Sequence, residues 1–256
     1  MQQKKIILEI CADSVDSAAI ARSSGAHRVE LCGNLPEGGT TPSWGLIEAV
    51  RRLTPLKLYV IVRPRGGDFC YSDAELEIML ADVQTCGKLG CDGVVIGMLN
   101  DNGTVDEQRC RRLVEAAHRC GMGVTFHRAF DRCRNLPEAM EAAIRIGCER
   151  ILTSGGRNAA PEGAGAIREL VEKANGRIGV MAGAGVTPEN ATELVKSTGV
   201  SELHGTFRSR YAGSMRYRNP LLGTPDEEHC RWRADGEKIK SVIAALGGYA
   251  RPTAAA

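Results

Sequence analysis

The chain has 256 residues, 43% of them apolar, and 33 basic against 31 acidic residues give a formal net charge of +2. This length and apolar content are sufficient for one large domain with its own core, and they match the usual length of an α/β barrel. We find no sustained block of like charge, so neither a nucleic-acid-binding arm nor a polybasic anchor is indicated.

The sequence also bears on the compartment in which the protein works. Its first five residues are polar and lead into no signal-peptide core, and no apolar run has transmembrane length. Ten cysteines are scattered through predicted strands and helices and do not follow the spacing of a zinc motif. We therefore expect a cytoplasmic protein that does not enter membranes, with reduced thiols, most of which pack as small apolar residues.

The residue pattern predicts eight β-strands that alternate with eight α-helices. Short runs rich in branched apolar residues indicate the strands, and stretches of helical character lie between them. In chain order, the predicted elements are strand Ile6–Ile10, helix Ser14–Ser24, strand Arg28–Cys32, helix Trp44–Leu53, strand Lys57–Arg63, helix Ala74–Leu89, strand Gly93–Gly97, helix Glu107–Arg119, strand Gly123–His127, helix Pro137–Ile146, strand Arg150–Thr153, helix Ala164–Lys173, strand Arg177–Ala182, helix Glu189–Lys196, strand Ser201–Gly205 and helix Glu237–Leu246.

Local signals support this order of elements. Ser72 followed by Glu75 has the pattern of a capping box, and Thr187-Pro188 places a hydroxyl cap before a proline at the first helical position. The two architectures compatible with this order are a TIM (β/α)₈ barrel and a doubly wound open sheet. Eight consecutive units, with no GxGxxG motif after the first strand, favour the barrel. We expect residues 1–256 to form one domain, with a disordered tail beyond about residue 247.

Polar residues occupy the inward face of several predicted strands. Glu9 and Cys11 share one face of the first strand, and Glu30 and Cys32 share the matching face of the second. The same reasoning applied to all strands brings five charged or titratable residues into the upper barrel, namely Glu9, Glu30, Arg63, His127 and His204. Packing explains such residues poorly near the carboxyl ends of barrel strands, although each one alone could be a structural residue. Together they predict a functional pocket.

The chemistry of this pocket would be acid–base or ligand-orienting. We assign proton transfer or orientation to the candidate catalytic residues Glu9, Glu30, His127 and His204. Arg63 and the nearby Arg65 would hold an anion. No nucleophile-elbow motif is present, so acyl transfer has no support in the sequence.

Glycine-containing loops follow the last three strands. Barrels commonly bind phosphate there through backbone N–H groups, and the candidate anion-binding residues are Ser154, Gly155, Gly183, Gly185 and Gly205. Tight βα turns need glycine in any case, so a purely structural interpretation stays open. The arginines that follow strand eight, beginning with Arg208, could act on the approach of an anionic ligand, but they are more typical of a solvated loop.

Cys11 and Cys32 form a candidate metal site. Neighbouring parallel strands lie about 4.8 Å apart, so two inward cysteines at matching heights could place both sulfurs on one soft ion such as Cu(I). The alternative is packing, because cysteine is among the residues most often buried.

Several segments resemble the CutC copper-homeostasis family from about Ile7 to Asn219. The segments that carry the resemblance are CADS from Cys11, RVELC from Arg28, EGGTTPS from Glu37, RPRGGDF from Arg63, TFHRAFD from Thr125, ILTSGG from Ile151 and MAGAG from Met181. The resemblance implies a self-associating cytosolic TIM barrel, linked to copper homeostasis, that binds Cu(I) at Cys11 and Cys32. Two departures are Ala184, where the family often has glycine, and Phe207, where small residues are usual.

Three hypotheses for the function remain open from the sequence. The first is a cytosolic copper-homeostasis protein that binds Cu(I) at the barrel mouth, as a homodimer or higher homo-oligomer. The second is an enzyme that uses acid–base chemistry on a small phosphorylated or carboxylated metabolite, without an organic cofactor. The third is a regulatory binding module without turnover. The two carboxylates, the arginine and the two histidines suit a small organic molecule better than a simple metal carrier.

Overall fold

Eight parallel strands, hydrogen-bonded in sequence order, form a closed barrel in the computed structural model, which describes residues 6–219, 221 and 229–247. The barrel strands are β1 Ile7–Ala12, β2 Arg28–Leu31, β3 Lys57–Ile61, β4 Gly93–Ile96, β5 Gly123–Phe126, β6 Arg150–Thr153, β7 Gly179–Gly183 and β8 Glu202–Gly205. Because β8 pairs with β1 in parallel, the predicted TIM barrel is confirmed and the open sheet is excluded.

The helices cover the outside of the barrel close to their predicted positions. They are α1 Val15–Ser23, α2 Trp44–Leu53, α3 Asp73–Lys88, α4 Glu107–Arg119, α5 Leu136–Ile146, α6 Ala164–Ala174, α7 Ala191–Thr198 and α8 Gly236–Ala245. The Ser72 hydroxyl and the Glu75 carboxylate form the predicted capping box of α3. Among the described residues, no helix is both long and apolar enough to cross a bilayer.

Among the predicted boundaries that shift, the starts of β7 and α7 do so for local reasons. β7 begins at Gly179 and not at Arg177, because the Arg177 N–H donates to the Ala174 carbonyl oxygen over 2.9 Å and so belongs to the turn after α6. α7 begins at Ala191 because the preceding residues form a turn, in which the Thr187 N–H donates to the Asn190 side chain over 2.9 Å.

The inside of the barrel is filled by side chains of alternating strand positions. Cys11, Cys32, Tyr59, Ile61 and Val95 form a buried cluster distinct from the main core, which lies between strands and helices. Glycines on β4 and β5 make room for the Tyr59 ring, since a Cβ atom at either Gly93 or Gly123 would collide with it. The barrel interior is therefore filled at the level of Gly93 and Gly123, where β4 and β5 begin. Open space is left nearer the carboxyl ends of the strands.

An antiparallel hairpin that the sequence did not predict follows the barrel. It consists of β9 Arg208–Ala212 and β10 Cys230–Ala234. The Ala234 N–H donates to the Ser17 hydroxyl of α1 over 3.1 Å, which joins the hairpin to the first helix of the chain. The tail predicted beyond residue 247 lies outside the described residues.

Candidate functional site

A buried layer of charged residues crosses the barrel near the start of the strands. Arg28 donates to the carboxylates of Glu9 and Glu202, and Arg150 reaches the same Glu202 with an Nε–Oε2 distance of 3.1 Å. Burial alone would raise the pKa of Glu9, but the Arg28 charge and the His204 imidazole hold it well below its ordinary value. Glu9 is therefore an ionised carboxylate deep in the barrel.

His204 lies between two carboxylates on neighbouring strands. Its Nδ1 is 2.8 Å from Glu9 Oε1, and its Nε2 is 3.6 Å from Glu30 Oε2. Burial opposes the charged imidazolium, but hydrogen bonds with Cys11 and Glu9 and the field of Glu30 raise the pKa of His204 well above its ordinary value. His204 can thus hold a proton at neutral pH.

Cys11 on β1 and Cys32, which directly follows β2, both face the inside of the barrel and are in contact. Their sulfurs are 3.5 Å apart, and both side chains are buried. The hydrogen bond from Cys32, together with His204, lowers the pKa of Cys11 to about 6 against the effect of burial, whereas the pKa of Cys32 is raised. Cys11 is therefore the thiol of the pair that deprotonates more easily.

Three potential metal ligands converge at this point. One ligand atom from each of Cys11, Glu30 and His204 lies within 4.8 Å of the other two, and all three residues are buried. Burial and the neighbouring Cys11 raise the pKa of Glu30 well above its ordinary value. The cluster offers a soft sulfur, an imidazole nitrogen and a carboxyl oxygen to one ion.

A cavity of about 350 Å³ opens above this cluster at the carboxyl ends of the strands. Its polar and aromatic lining comes from Cys11, Glu30, Arg63, Phe69, His127, Arg128, His204, Thr206, Phe207 and Arg208. Leu35, Ile61, Leu152 and Val186 add apolar surface. A mainly apolar cavity of this size with a few converging polar groups is typical of a small-molecule site.

Arg63 organises the loops at one side of the cavity. Its guanidinium donates to the carbonyl oxygens of Glu37, Gly39 and Gly67 over 2.7 to 2.9 Å and stacks on the Phe69 ring at 4.9 Å. Its Nε–H is buried and has no acceptor among the described residues. The charge of Arg63 therefore reaches the cavity, although most of its donors are engaged with the backbone.

His127 differs from His204 in its electrostatic environment, and its hydrogen bonds define its tautomer. Its Nδ1 accepts the Ala129 N–H over 3.1 Å, so the neutral ring carries its proton on Nε2. Nε2 is buried and has no partner among the described residues. Burial and the charge of Arg63 lower the pKa of His127 to about 3. His127 therefore carries a buried neutral N–H donor without a protein acceptor and also lines the cavity.

The loops after β7 and β8 hold two residues in the left-handed backbone conformation. Ala184 has φ 75° and Phe207 has φ 41°, and both line the cavity. The described residues contain two other non-glycine residues of this kind, and both are asparagines, which tolerate the conformation. Strain of this type is concentrated at functional sites, so these loops belong to the candidate site.

The structure brings most of the predicted site residues together. Those that line the cavity are Cys11, Glu30, Arg63, His127, Gly185, His204 and Gly205. Glu9 contacts His204 from the side of the charged layer, and Cys32 contacts Cys11. The convergence of Glu9, Glu30, Arg63, His127 and His204, from five strands or their carboxyl ends, agrees with the alternation of strand side chains.

Four predicted anion-binding residues lie outside the cavity lining. Arg65 turns away to Glu75 and Asp68, with an Nε–Oε1 distance of 2.6 Å to Glu75. The Ser154 hydroxyl is engaged by Asp131 and Arg128. Gly155 packs against the Gly163 backbone, and Gly183 makes room for His204 and Leu152. Ser154, Gly155 and Gly183 thus have structural contacts that explain them.

Sequence reasoning missed several residues of the site. Arg28 and Arg150 have the inward parity of their strands, but their partners are up to 174 residues away in the sequence. Arg208 lines the cavity instead of lying in a solvated loop, because the hairpin places it beside Trp232, 5.3 Å from the ring centroid. The parity signal could have found the first two residues, whereas the position of Arg208 depends on the hairpin.

The fold and this site define a (β/α)₈-barrel protein with a buried thiol, carboxyl and imidazole cluster under a cavity at the carboxyl ends of the strands. The sequence model of the CutC family matches residues 6–209. The family protein CutC of Bacteroides fragilis is 48% identical over 227 residues, covering 88% of this chain and 90% of that protein. That of Chromobacterium violaceum is 46% identical over 243 residues, covering 94% and 98%. The chain therefore belongs to the CutC family.

Solved structures agree with this assignment. The CutC structure from Streptococcus agalactiae has a TM-score of 0.74 and 37% identity, and the match covers 78% of this chain and 98% of that one. Thiamine phosphate pyrophosphorylase from Pyrococcus furiosus has a TM-score of 0.58 at 16% identity, with 96% and 98% covered. The second similarity shows the shared barrel fold alone.

Proposed function

We propose that the protein acts in copper homeostasis by binding Cu(I) at Cys11 and Cys32. The observation that carries this proposal is the contact between the two sulfurs, 3.5 Å apart at the floor of an open cavity. The family name and the copper-homeostasis name of the solved Streptococcus agalactiae relative support it.

The chemistry of the donors fits a soft monovalent ion. Cu(I) prefers thiolate ligands, and His204 stands close enough to Cys11 to complete the coordination once its Nε2 proton is released, with Glu30 beside it. The lowered pKa of Cys11 favours binding, because a thiol must lose its proton to become a strong ligand. Glu9 orients the His204 ring in the way that carboxylates orient metal-bound histidines.

A competitive Cu(I) titration against a calibrated chelator under reducing conditions tests this proposal. We expect tight binding of one ion by the wild type and its loss in the Cys11→Ser/Cys32→Ser variant. Cys86→Ala/Cys91→Ala is the matched control, since these two neighbouring thiols lie on the helical side of the barrel. Weak binding by the wild type, or binding unaffected by the Cys11/Cys32 change, would contradict the copper assignment.

The same proposal includes a cytoplasmic location and a homo-oligomeric state. All ten cysteines are free thiols, as suits a reducing compartment, and the family resemblance supports self-association. Light scattering coupled to gel filtration tests the oligomer, and a fluorescent fusion expressed in cells tests the location. A monomer across micromolar concentrations, or fluorescence outside the cytoplasm, would contradict the respective part.

A second candidate function is an enzyme that performs acid–base chemistry on a small anionic metabolite. The observation that favours it is the pair of buried donors without protein acceptors, His127 Nε2 and Arg63 Nε, at a cavity of about 350 Å³. Glu30 and His204, with their raised pKa values, would supply and accept protons in this proposal. A copper ion does not use these two donors, because both are N–H groups without a free lone pair.

A thermal-shift screen of phosphorylated and carboxylated metabolites, with the Cys11→Ser/Cys32→Ser variant in parallel, tests this candidate. We expect a stabilising metabolite to raise the melting temperature of both proteins and to lose its effect in a His127→Leu variant. A screen without any stabilising anion would remove the support for the enzyme.

A further inference from the structure

We infer that the cavity takes a phosphate monoester whose phosphate group lies on the loops after β7 and β8. This inference rests on the second candidate function, in which the cavity receives an anionic metabolite. It specifies both the class of that metabolite and the end of the cavity that its charged group occupies.

Backbone amides at this end of the cavity have no acceptor. The N–H groups of Ala184, Gly185, Thr206 and Phe207 make no hydrogen bond to any described residue. All four residues line the cavity, and they come from the ends of two neighbouring strands. Successive amides in left-handed turns form concave sites for anions, and Ala184, Gly185 and Phe207 have that conformation.

The guanidinium of Arg208 adds a positive charge beside these amides. Arg208 lines the cavity directly after Phe207, and its side chain stacks on Trp232. No described carboxylate forms an ion pair with it, in contrast to Arg128, which is paired with Asp131 over 2.8 Å. Arg208 therefore keeps its donors for an anion, and a planar guanidinium matches two phosphate oxygens.

The donor arrangement favours phosphate over carboxylate. Four amides on two loops and one guanidinium border the same end of the cavity, which suits the three terminal oxygens and the double charge of a phosphate monoester. A carboxylate presents two oxygens in one plane and would leave some of these donors without an acceptor.

The rest of the cavity is suited to the organic part of such a molecule. His127 Nε2 and Arg63 Nε are buried donors without acceptors in the described protein, and each residue is 4% exposed. They follow β5 and β3, which lie two to four strands around the barrel from β7 and β8. The two sets of donors are therefore apart, and a ligand with an acceptor group in addition to its phosphate fits both.

The test compares two simple anions with the same carbon number, glycerol 3-phosphate and glycerate. Binding is measured by calorimetry at constant ionic strength, with a chelator present to exclude metals. We expect glycerol 3-phosphate to bind at least about tenfold more tightly than glycerate, and Arg208→Gln to remove about that factor. Arg210→Gln is the matched control, because Arg210 lies on the same strand but is exposed and does not line the cavity.

Each outcome bears on a defined claim. Equal affinity for both anions would overturn the phosphate assignment and leave an anion-binding cavity, whereas phosphate binding unaffected by Arg208→Gln would overturn the placement of the phosphate beside Arg208. No binding of either probe would overturn this inference and weaken the second candidate function with it. Unchanged Cu(I) binding by Arg208→Gln shows that the variant is folded, so a loss of phosphate binding in it is attributable to the guanidinium.

Discussion

His127 and His204 line the same cavity but stand in opposite electrostatic environments. His204 faces the carboxylates Glu9 and Glu30, which favour its protonated form. His127 faces Arg63 and accepts a backbone N–H, both of which fit a neutral ring. Two imidazoles with pKa values displaced in opposite directions can divide the roles of proton carrier and neutral hydrogen-bond donor between them.

The neutral state of His127 predicts a specific dependence of stability on pH. Its pKa is about 3 in the folded protein and 6.5 in an unfolded chain, so its contribution is fully present above pH 6.5. As the pH falls below 6.5, the unfolded chain takes up the proton and the folded protein does not. This histidine should therefore reduce the free energy of unfolding by about 2 kcal/mol between pH 7 and pH 5.

Urea unfolding of the wild type and His127→Asn across this pH range measures the effect. The asparagine oxygen can still accept the Ala129 N–H but does not titrate, so the variant should lose less stability on acidification. Identical losses in both proteins would show that His127 is protonated in the folded state.

Arg28 is the residue on which the buried charged layer depends. It is shared by Glu9 and Glu202, and all three side chains are largely buried. We expect Arg28→Met to lower the free energy of unfolding by about 3–5 kcal/mol, because it leaves two buried carboxylates without their common partner. Arg177→Met, which breaks the exposed pair with Glu141, should cost no more than about 1 kcal/mol in the same denaturation experiment. Equal costs would contradict the assigned role of the buried layer.

At the level of the elements, the barrel was predictable and the hairpin was not. Strands such as β4 and β6 are short runs of branched apolar residues, and this pattern is visible in a single sequence. β9 and β10 carry the segments RSRYA and CRWRA, which are polar and partly exposed, and a long intervening segment separates them. Their pairing depends on packing against the completed barrel, so local patterns cannot reveal it.

The site was predictable to a similar extent. Parity placed Glu9, Glu30 and His204 on the inward faces of β1, β2 and β8, and these residues do meet. Parity could not predict that Arg65, just beyond β3, turns outward to Glu75, since no strand alternation applies after the strand ends. Residues beyond the barrel strands take their positions from tertiary contacts, which is also the reason why Arg208 on β9 was misplaced.

The strained loop after β7 leads to a prediction on stability. Ala184 has φ 75°, a conformation that costs an alanine about 1–2 kcal/mol and a glycine almost nothing. We expect Ala184→Gly to increase the free energy of unfolding by up to about 1 kcal/mol, after the larger entropy of glycine in the unfolded chain is subtracted. Ala182→Gly on β7 is the control and should destabilise, because Ala182 is fully buried in a regular strand. Destabilisation by both changes would show that Ala184 is not strained.

On the scale of the whole molecule, the end of the chain is tied to its beginning. β8 closes the barrel against β1, and β10 is joined to α1 by the hydrogen bond from Ala234 to Ser17. Contacts between such distant parts of a sequence make unfolding cooperative, because neither end can separate without exposing buried groups of the other. The hairpin that carries Arg208 therefore belongs to the same folding unit as the strands that carry Cys11 and His204.

This coupling predicts that the hairpin and the barrel unfold in a single transition. Ser17→Ala should lower the midpoint of that whole transition. Ser17 is 2% exposed, and its loss leaves the buried Ala234 N–H without an acceptor, at a cost of about 1–3 kcal/mol. In a Trp44→Phe background, Trp232 of β10 is the one remaining tryptophan, so its fluorescence reports on the hairpin while far-UV circular dichroism reports on the barrel. Ser17→Ala should lower both midpoints equally, whereas Ser23→Ala, an exposed position on the same helix, should change neither. A fluorescence transition that precedes the loss of helix signal would show that the hairpin unfolds alone and that the cavity can open without the barrel.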